Sequence, residues 1–282
     1  MNAKWQSWFP DAQDKKKCIV AGPCVVESYD ICMRVAEAMA EACQKASFFY
    51  IFKASYRKAN RTRATSFQGI GDAQALEILR QVREKGGVPI LTDVHETIEV
   101  EAAAQVADVL QVPAFLARQT SLLQAVGRTG KVINIKKGQF MSAEAILFAA
   151  EKVALTGNRR VFLTERGTFF GYDDLVVDFR NIPKMRQGGY PVLMDATHAV
   201  QRPNTGVGMT LGDRMFVSLY ARLGLVAGAD GVFMEVHPFP DASPSDAATM
   251  LSIGMAVQLI AELYHLSDVS ATLEPTGRSS SL

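Results

Sequence analysis

The chain has 282 residues, 48% of them hydrophobic, which is enough for one large domain with a sizeable core. Its formal net charge of +1 argues against a general binder of nucleic acids or other polyanions, so an anion site would need a local concentration of cations. No apolar segment approaches the ~20 residues that cross a bilayer, and no secretory signal is visible. The few cysteines, all within residues 18–43, predict a reducing, cytoplasmic location rather than a disulfide framework.

Short apolar runs alternate along the chain with longer segments of helical period. The predicted strands are residues 18–21, 48–52, 88–91, 109–112, 132–135, 161–163, 192–194 and 232–234. The predicted helices are residues 31–45, 73–85, 98–107, 122–128, 143–155, 178–186, 214–227 and 247–266. Since the strands are apolar throughout, they are predicted to be parallel and covered by helices.

Eight such units predict an α/β fold, a single (β/α)8 TIM barrel, because barrels of about 250 residues fold as one domain. An open, doubly wound sheet is the alternative, although it suits six or seven units better. We expect residues 1–17 to form an N-terminal extension or cap, residues 18–270 the barrel, and residues 271–282 a flexible tail.

Polar residues concentrate just after the predicted strands, where barrel enzymes carry their chemistry. Four cations follow three of these strands, and they are Lys53, Lys58, Lys136 and Arg166. Arg61 and Arg118 are candidates for a second cationic spot. Because a phosphate monoester carries about −1.5 to −2 charges, the two groups predict a site for two phosphorylated substrates.

A second group of strand-end residues has the chemistry of metal ligands. Cys24, His198, Glu235 and Asp246 belong to the first, seventh and eighth units, which become neighbours when a barrel closes. A thiolate, an imidazole and two carboxylates suit a divalent ion such as Fe²⁺, Mn²⁺, Zn²⁺ or Co²⁺. The alternative is a buried structural cysteine, a histidine satisfied in the core, and surface carboxylates. Asp93, His95 and His237 are further candidates for orienting a hydroxyl or moving a proton.

Ordered motifs span almost the whole chain. They are AGPCVVES (21–28), FKASYRKANR (52–61), LTDVHE (91–96), QVPAFLARQT (111–120), NIKKGQF (134–140), LTERGTFFGYDDLVVDFR (163–180), MDATHAVQ (194–201) and GVFMEVHPFPDASPSD (231–246). In this order the chain resembles the 3-deoxy-D-manno-octulosonate-8-phosphate synthase family, whose members are also called 2-dehydro-3-deoxyphosphooctonate aldolases. The resemblance implies a barrel enzyme, usually a homotetramer, that condenses phosphoenolpyruvate with D-arabinose 5-phosphate for lipopolysaccharide inner-core synthesis.

The same resemblance implies roles for individual residues. Lys53, Lys58, Gln111, Lys136 and Arg166 resemble the residues that hold phosphoenolpyruvate, and Asn60 resembles the residue that reads the aldose hydroxyls. Arg61 and Thr62, helped by Arg118, resemble residues that bind the aldose phosphate across a subunit boundary. The candidates for the catalytic steps are His198, Asp93 and Lys136, with Glu235 a further candidate for proton transfer.

Two comparisons within the resemblance bear on metal and substrate. The family's metal-independent group usually has Asn where this chain has Cys24, so the chain resembles the metal-dependent group, with Cys24, His198, Glu235 and Asp246 as ligands. The sister family, 3-deoxy-D-arabino-heptulosonate-7-phosphate synthase, uses erythrose 4-phosphate and typically carries Lys-Pro-Arg-Thr in the second loop. This chain has the octulosonate pattern at 58–62, but Tyr56-Arg57 replaces the common Phe-Asp, which predicts extra positive charge near the aldose.

Three other functions remain open at the level of sequence. A Schiff-base aldolase would use Lys136 or Lys53 as its nucleophile. A nucleic-acid-binding module would use the basic run 57–63, although one aromatic residue, Tyr56, and no wider basic face accompany it. A barrel that binds sugar phosphates without turnover is the third, although Cys24 and the full set of cations argue against it.

Overall fold

The computed structural model describes residues 17–59, 61, 63, 65–172, 174–206 and 209–272. Eight parallel strands form the barrel, and they are β1 (Cys18–Gly22), β2 (Phe49–Lys53), β3 (Ile90–Asp93), β4 (Val109–Val112), β5 (Val132–Lys136), β6 (Val161–Glu165), β7 (Val192–Asp195) and β8 (Gly231–His237). Each pairs with the next along the chain, and β8 pairs back to β1 from Cys18↔Gly231 to Gly22↔Glu235. This last pairing closes the barrel, confirms the predicted fold and excludes an open sheet.

In the described part of the chain eight α-helices surround the strands, and they are α1 (Tyr29–Lys45), α2 (Asp72–Gly86), α3 (Val100–Val106), α4 (Thr120–Arg128), α5 (Ala143–Ala154), α6 (Asn181–Gln187), α7 (Val217–Val226) and α8 (Ile253–Thr272). Local caps start two of them: the Ser28 hydroxyl accepts from the Ile31 amide, and the Ser142 hydroxyl accepts from the Ala145 amide. None of the described helices has both the length and the apolarity needed to span a bilayer.

The hydrophobic core has two layers because successive strand residues face opposite sides of the sheet. On β1, Ile19 and Ala21 face the helices, whereas Cys18 and Val20 face the barrel interior. The interior layer contains one or two such residues from every strand, among them Ile51, Phe162 and Phe233. Because these side chains fill the interior of the barrel, a ligand cavity is expected at the ends of the strands.

The strands end later than the apolar runs that predicted them. β3, β5, β6 and β7 include the polar residues Asp93, Lys136, Glu165 and Asp195, and β8 continues to His237. These residues still hydrogen-bond to neighbouring strands, a feature that hydrophobicity alone does not reveal. Ladder pairing therefore holds several candidate site residues on rigid strands.

Several predicted boundaries were wrong because loops at the barrel mouth have their own structure. Helix α8 begins at Ile253 instead of residue 247, and the short strand Leu251–Ser252 pairs with β8 in between. Two antiparallel hairpins were not predicted, Thr168–Phe169 with Leu175–Val176 and Gln201–Gly206 with Met209–Gly212. Residues 1–16, most of the predicted extension, and 273–282 of the predicted tail lie outside the described part of the chain.

Candidate active site

One cavity of about 720 Å³ opens at the carboxyl ends of the strands. The predicted residues that line it are Lys53, Lys58, Arg61, Asp93, His95, Gln111, Lys136, Arg166, His198 and Asp246, whereas the further candidate His237 does not line it. Cys24 and Glu235 are fully buried and do not reach the cavity surface, and Arg118 is exposed and does not line it. Asn60 and Thr62 lie outside the described residues. The four predicted phosphate-binding cations therefore meet in one place.

Two buried lysines share the floor of the cavity over the ring of Phe233. The Lys136 Nζ lies 3.8 Å and the Lys53 Nζ 5.8 Å from the ring centroid. Each lysine also has a buried carboxylate partner, Lys136 with Asp195 at 2.5 Å and Lys53 with Glu235 at 3.1 Å. Burial lowers the pKa of Lys136, and Asp195 opposes that effect. The floor of the cavity thus contains two lysines, each fixed by an ion pair with a buried carboxylate.

Lys58 and Arg166 complete the cationic wall. Burial works against the charge of Lys58, but nearby acidic groups, among them the carboxylates of Glu235 and Asp246, raise its pKa overall, so it stays protonated. Burial lowers the pKa of Arg166. One end of its guanidinium, Nη2, donates to Gln201 Oε1 at 2.9 Å and to the His198 carbonyl at 3.1 Å. Its Nη1 is buried and has no hydrogen-bond partner among the described residues, which leaves a donor for a bound anion.

A hydrogen-bond chain inside the barrel orients Gln111. The Thr164 hydroxyl donates to Asn134 Oδ1 at 2.7 Å, and Asn134 Nδ2 donates to Gln111 Oε1 at 2.9 Å. Since its oxygen is occupied, Gln111 keeps its amide NH₂ for the cavity that it lines. All three side chains are buried, so the orientation is held by groups that water does not reach.

The predicted metal ligands lie together. One ligand atom each of Cys24, Glu235 and Asp246 lies within 4.8 Å of the other two. The Nε2 of His198 is 3.4 Å from Glu235 Oε1 and 3.9 Å from Asp246 Oδ2. Its Nδ1 is 2.9 Å from Asp195 Oδ2, the kind of carboxylate contact that orients a ligating histidine.

The donor set fits a divalent transition ion. Glu235 Oε2 is buried without a hydrogen-bond partner among the described residues, which a cation would satisfy. Burial, together with Asp246 and Glu235, raises the pKa of the Cys24 thiol, and that thiol donates to Asp246 Oδ2 at 2.9 Å. One sulfur, one imidazole nitrogen and two carboxylates match the preferences of Zn²⁺, Fe²⁺ and related ions.

Asp93 holds a buried carboxylate at the edge of the cavity. Its Oδ2 is 3.1 Å from His95 Nε2, whereas its Oδ1 is buried without a hydrogen-bond partner among the described residues. Burial opposes ionisation, but the hydrogen bond and charge of His95, helped by Lys53 and Lys58, hold its pKa well below the ordinary value. Asp93 therefore offers one free acceptor oxygen to a bound molecule.

The amino-acid sequence is similar to a known family of proteins along nearly its whole length. The DAHP synthetase I family matches residues 9–270, which is nearly the whole chain. The chain belongs to this family. It is 47% identical to a 2-dehydro-3-deoxyphosphooctonate aldolase of Magnetococcus marinus over 89% of this chain and 88% of that protein. Two proteins of the same name are about as similar. The one from Koribacter versatilis is 47% identical over 90% of this chain and 92% of that protein. The one from Pelobacter propionicus is 48% identical over 89% of this chain and 92% of that protein.

In this member of the DAHP synthetase I family, Arg61 lines the large cavity. Its guanidinium donates to Ser245 Oγ at 2.6 Å and to the Pro244 carbonyl at 3.2 Å. These contacts lie within one chain, and the reach of Arg61 into a neighbouring subunit stays a prediction.

Arg57, which was predicted to add positive charge near the aldose, does not line the large cavity. Its guanidinium forms ion pairs with Glu99 and, at 3.2 Å, with Asp72. With Tyr56 it lines a separate groove of about 300 Å³ instead of the large cavity. Its guanidinium therefore pairs with Asp72 on α2 and with Glu99 before α3 and not with a group in the large cavity.

Several site residues of this family member had no role in the sequence analysis. Asp195 pairs with Lys136 and His198, and its position at a strand end was the available signal. Gln201 donates to Asp246 Oδ1 at 2.9 Å, and Ser245 accepts from Cys24 at 3.1 Å; both residues lie within quoted motifs, and that position was the available signal. Lys137 is fully buried, 3.4 Å from Glu165, and donates to the Met141 carbonyl at 3.1 Å. It secures the loop after β5.

Proposed function

We propose that this protein condenses phosphoenolpyruvate with D-arabinose 5-phosphate and water to form 3-deoxy-D-manno-octulosonate 8-phosphate and phosphate. The observation that carries the proposal is the convergence of Lys53, Lys58, Lys136 and Arg166 on one cavity. The relatives' shared name, 2-dehydro-3-deoxyphosphooctonate aldolase, supports this aldose over erythrose 4-phosphate. The product would serve lipopolysaccharide inner-core synthesis in the cytoplasm.

The cationic wall binds phosphoenolpyruvate, which carries about −2.5 to −3 charges. The free Nη1 of Arg166 and the amide of Gln111 are donors with orientations set by the protein, and Lys53, Lys58 and Lys136 supply charge. Arg166 contributes directional bonds, and the lysines act as point charges. This arrangement holds the three-carbon substrate against the floor formed by Phe233.

Arg61 binds the phosphate of the aldose at the other side of the cavity mouth. It lines the cavity and donates to Ser245, and its charge helps to lower the pKa of the buried Asp246. Asn60 reads the aldose hydroxyls, and Thr62 and Arg118 assist with its phosphate. Placing the two substrates side by side in attack geometry supplies much of the acceleration.

The reaction joins C3 of phosphoenolpyruvate to the aldehyde carbon of the aldose. Water then adds at C2, and the tetrahedral species loses phosphate by cleavage of its C–O bond. Lys136 stabilises negative charge next to C2, and Asp93 Oδ1 accepts a hydrogen bond from the reacting aldose or from water. His198, whose Nδ1 contacts the Asp195 carboxylate, is the third residue that we propose for the catalytic steps.

Cys24, His198, Glu235 and Asp246 would hold a divalent ion. When bound, such an ion supplies a Lewis acid that orients an aldehyde or activates water. The test is activity before and after chelation, with single-metal add-back and metal content by mass spectrometry. We expect activity to follow metal content, and full activity in metal-free protein would contradict this assignment.

The proposed reaction is tested by phosphate release with phosphoenolpyruvate and either aldose phosphate. We expect turnover with arabinose 5-phosphate and at least about tenfold less with erythrose 4-phosphate, a difference of about 1.4 kcal/mol. The reverse preference would assign the chain to heptulosonate synthesis instead. Borohydride added with substrates addresses the Schiff-base alternative, and inactivation by it would contradict direct condensation.

A further inference from the structure

A chain of contacts leads from Glu99, which lines the neighbouring groove, to His95 and Asp93, which line the large cavity. Its side chain is only 8% exposed, and its Oε2 accepts from the Tyr56 hydroxyl at 2.7 Å and from the His95 amide at 2.9 Å. Its Oε1 forms an ion pair with Arg57. Glu99 is therefore a buried anion held from several sides, outside the cavity that it adjoins.

His95 lies between two carboxylates. Its Nδ1 is 3.4 Å from Glu99 Oε2, an ion-pair distance longer than a good hydrogen bond, and its Nε2 is 3.1 Å from Asp93 Oδ2. Glu99 also accepts from the His95 backbone amide and so fixes the position of the residue beside Asp93, whereas His95 Nδ1 itself has no hydrogen-bond partner among the described residues. The contacts form a line from Arg57 through Glu99 and His95 to Asp93.

The far end of this line is the free oxygen of Asp93. Its Oδ2 is occupied by His95, and its buried Oδ1 has no partner within the described part of the chain although the residue lines the cavity. The direction of Oδ1 therefore depends on His95. A rotation of the carboxylate by a few tens of degrees would misplace an acceptor that has to meet substrate within hydrogen-bond reach.

We propose that Glu99 is a positioning residue, which acts through His95 to aim the free oxygen of Asp93 at the aldose or water in the cavity. Tyr56 and Arg57 fix Glu99 in turn, with Asp72 as the second partner of Arg57. The expected changes in kcat rest on the proposed condensation, whereas the expected change in the His95–Asp93 contact does not depend on it.

The kinetic test uses Glu99→Gln, Asp93→Asn and the double variant, with Glu96→Gln as a matched control. Glu96 is exposed in the same groove, and no side-chain contact joins it to His95 among the described residues. We expect Glu99→Gln to lower kcat about 10- to 100-fold with the KM for phosphoenolpyruvate unchanged within about twofold, since the cationic wall is untouched. Glu96→Gln should stay within about twofold of the parent enzyme.

The double variant separates positioning from a general structural role. If Glu99 acts through Asp93, adding Glu99→Gln to Asp93→Asn should lower kcat by no more than about twofold further. Fully multiplied losses would overturn the proposal. Should Glu99→Gln fail to fold, Tyr56→Phe removes only one hydrogen bond to Glu99. It should lower kcat about two- to fivefold in the parent and leave Asp93→Asn unchanged, and additive losses here would also overturn the proposal.

A crystal structure of Glu99→Gln provides the readout that does not depend on turnover. We expect the His95 Nε2 to Asp93 Oδ2 contact to be lost or the Asp93 carboxylate to be rotated. An unchanged His95–Asp93 pair would refute positioning by Glu99. Absence of condensation in the parent protein would instead refute the proposed reaction, so the two failures are distinguishable.

Discussion

Lys136 illustrates how the surroundings of one residue set its chemistry. Burial disfavours its charge and lowers its pKa, while Asp195 at 2.5 Å and the face of Phe233 favour the charge. Such a lysine is anchored rather than free to sample solvent. A fixed cation costs little reorganisation when negative charge develops next to it, which is the condition for effective electrostatic catalysis.

We expect Lys136→Met to lower kcat/KM at least about 100-fold, because it removes a positioned cation from the cavity floor. Lys45→Met is the control, since Lys45 is exposed and pairs only with Glu41 one turn away, as far as its described contacts go. Steady-state phosphate release measures both variants. A loss of less than about tenfold for Lys136→Met would contradict its role.

Cys24 predicts how metal affinity depends on pH. Burial and the adjacent carboxylates raise the pKa of its thiol, so the metal-free protein carries a proton there at neutral pH. Binding as a thiolate releases that proton, and mass action makes binding stronger as pH rises. We expect the affinity for Zn²⁺, measured by competition with a chelator, to increase by up to about tenfold per pH unit between pH 6 and 8.

The control for this prediction is Cys24→Ser, which should bind Zn²⁺ more weakly and with a smaller slope against pH. Cys32→Ser, in which the altered thiol lies on α1 in the outer core, should keep the slope of the parent. An affinity that is independent of pH in the parent protein would show that the thiol does not ligate as its thiolate.

At the scale of elements, the close approach of β1 and β2 places Lys53. A Cβ on Gly22 would lie 2.1 Å from the Lys53 carbonyl oxygen, which is backbone and cannot move aside cheaply. Only glycine allows the two strand ends to come this close. The position of the Lys53 side chain over the cavity floor thus depends on a neighbouring residue that has no side chain.

We expect Gly22→Ala to destabilise the protein by about 1–3 kcal/mol and to lower activity, because the strands must separate at the site. Gly254→Ala is the matched control. It lies in α8 with nothing within 4 Å of a new Cβ, so the free energy of unfolding should stay the same or rise by at most about 1 kcal/mol. Chemical denaturation with parallel assays measures both variants. Equal stability of the two would contradict the close approach.

At the scale of the whole molecule, aromatic side chains are exposed in the loops after β4, β5 and β6. The exposed fractions are 51% for Phe115, 52% for Phe140 and 73% for Phe170. Phe115 also lines the large cavity, whereas exposed apolar side chains outside that cavity, such as Phe140 and Phe170, are a feature of many protein–protein contacts. They support the proposal that the protein is a homo-oligomer, with four subunits by its resemblance to the synthases.

Light scattering should give a mass of about four times 30.8 kDa for the parent protein. We expect Phe170→Glu to reduce this mass, since a carboxylate would be desolvated in the interface. Leu155→Glu is the control, because Leu155 is 75% exposed but follows α5 at the opposite end of the barrel. A mass of 30.8 kDa for the parent would contradict assembly.

Much of the fold follows from local patterns that sequence carries directly. Apolar runs of four or five residues separated by helical segments suffice to predict eight parallel strands, and parallel strands bring their carboxyl ends to the same side. That is why Lys53, Lys136 and Arg166 were predicted to meet, and the structure confirms that they line one cavity.

Which polar and charged side chains pair with each other depends on distances that only the closed barrel establishes. Cys24 contacts Asp246 across 222 residues because β8 pairs with β1, and Lys136 pairs with Asp195 rather than with a nearer acid in sequence. Arg57 turns to Glu99, away from the cavity, because the loops after β2 and β3 lie side by side. Electrostatic energies change steeply over a few ångströms, so residue types predict the chemistry of a site, but backbone geometry decides which charges meet.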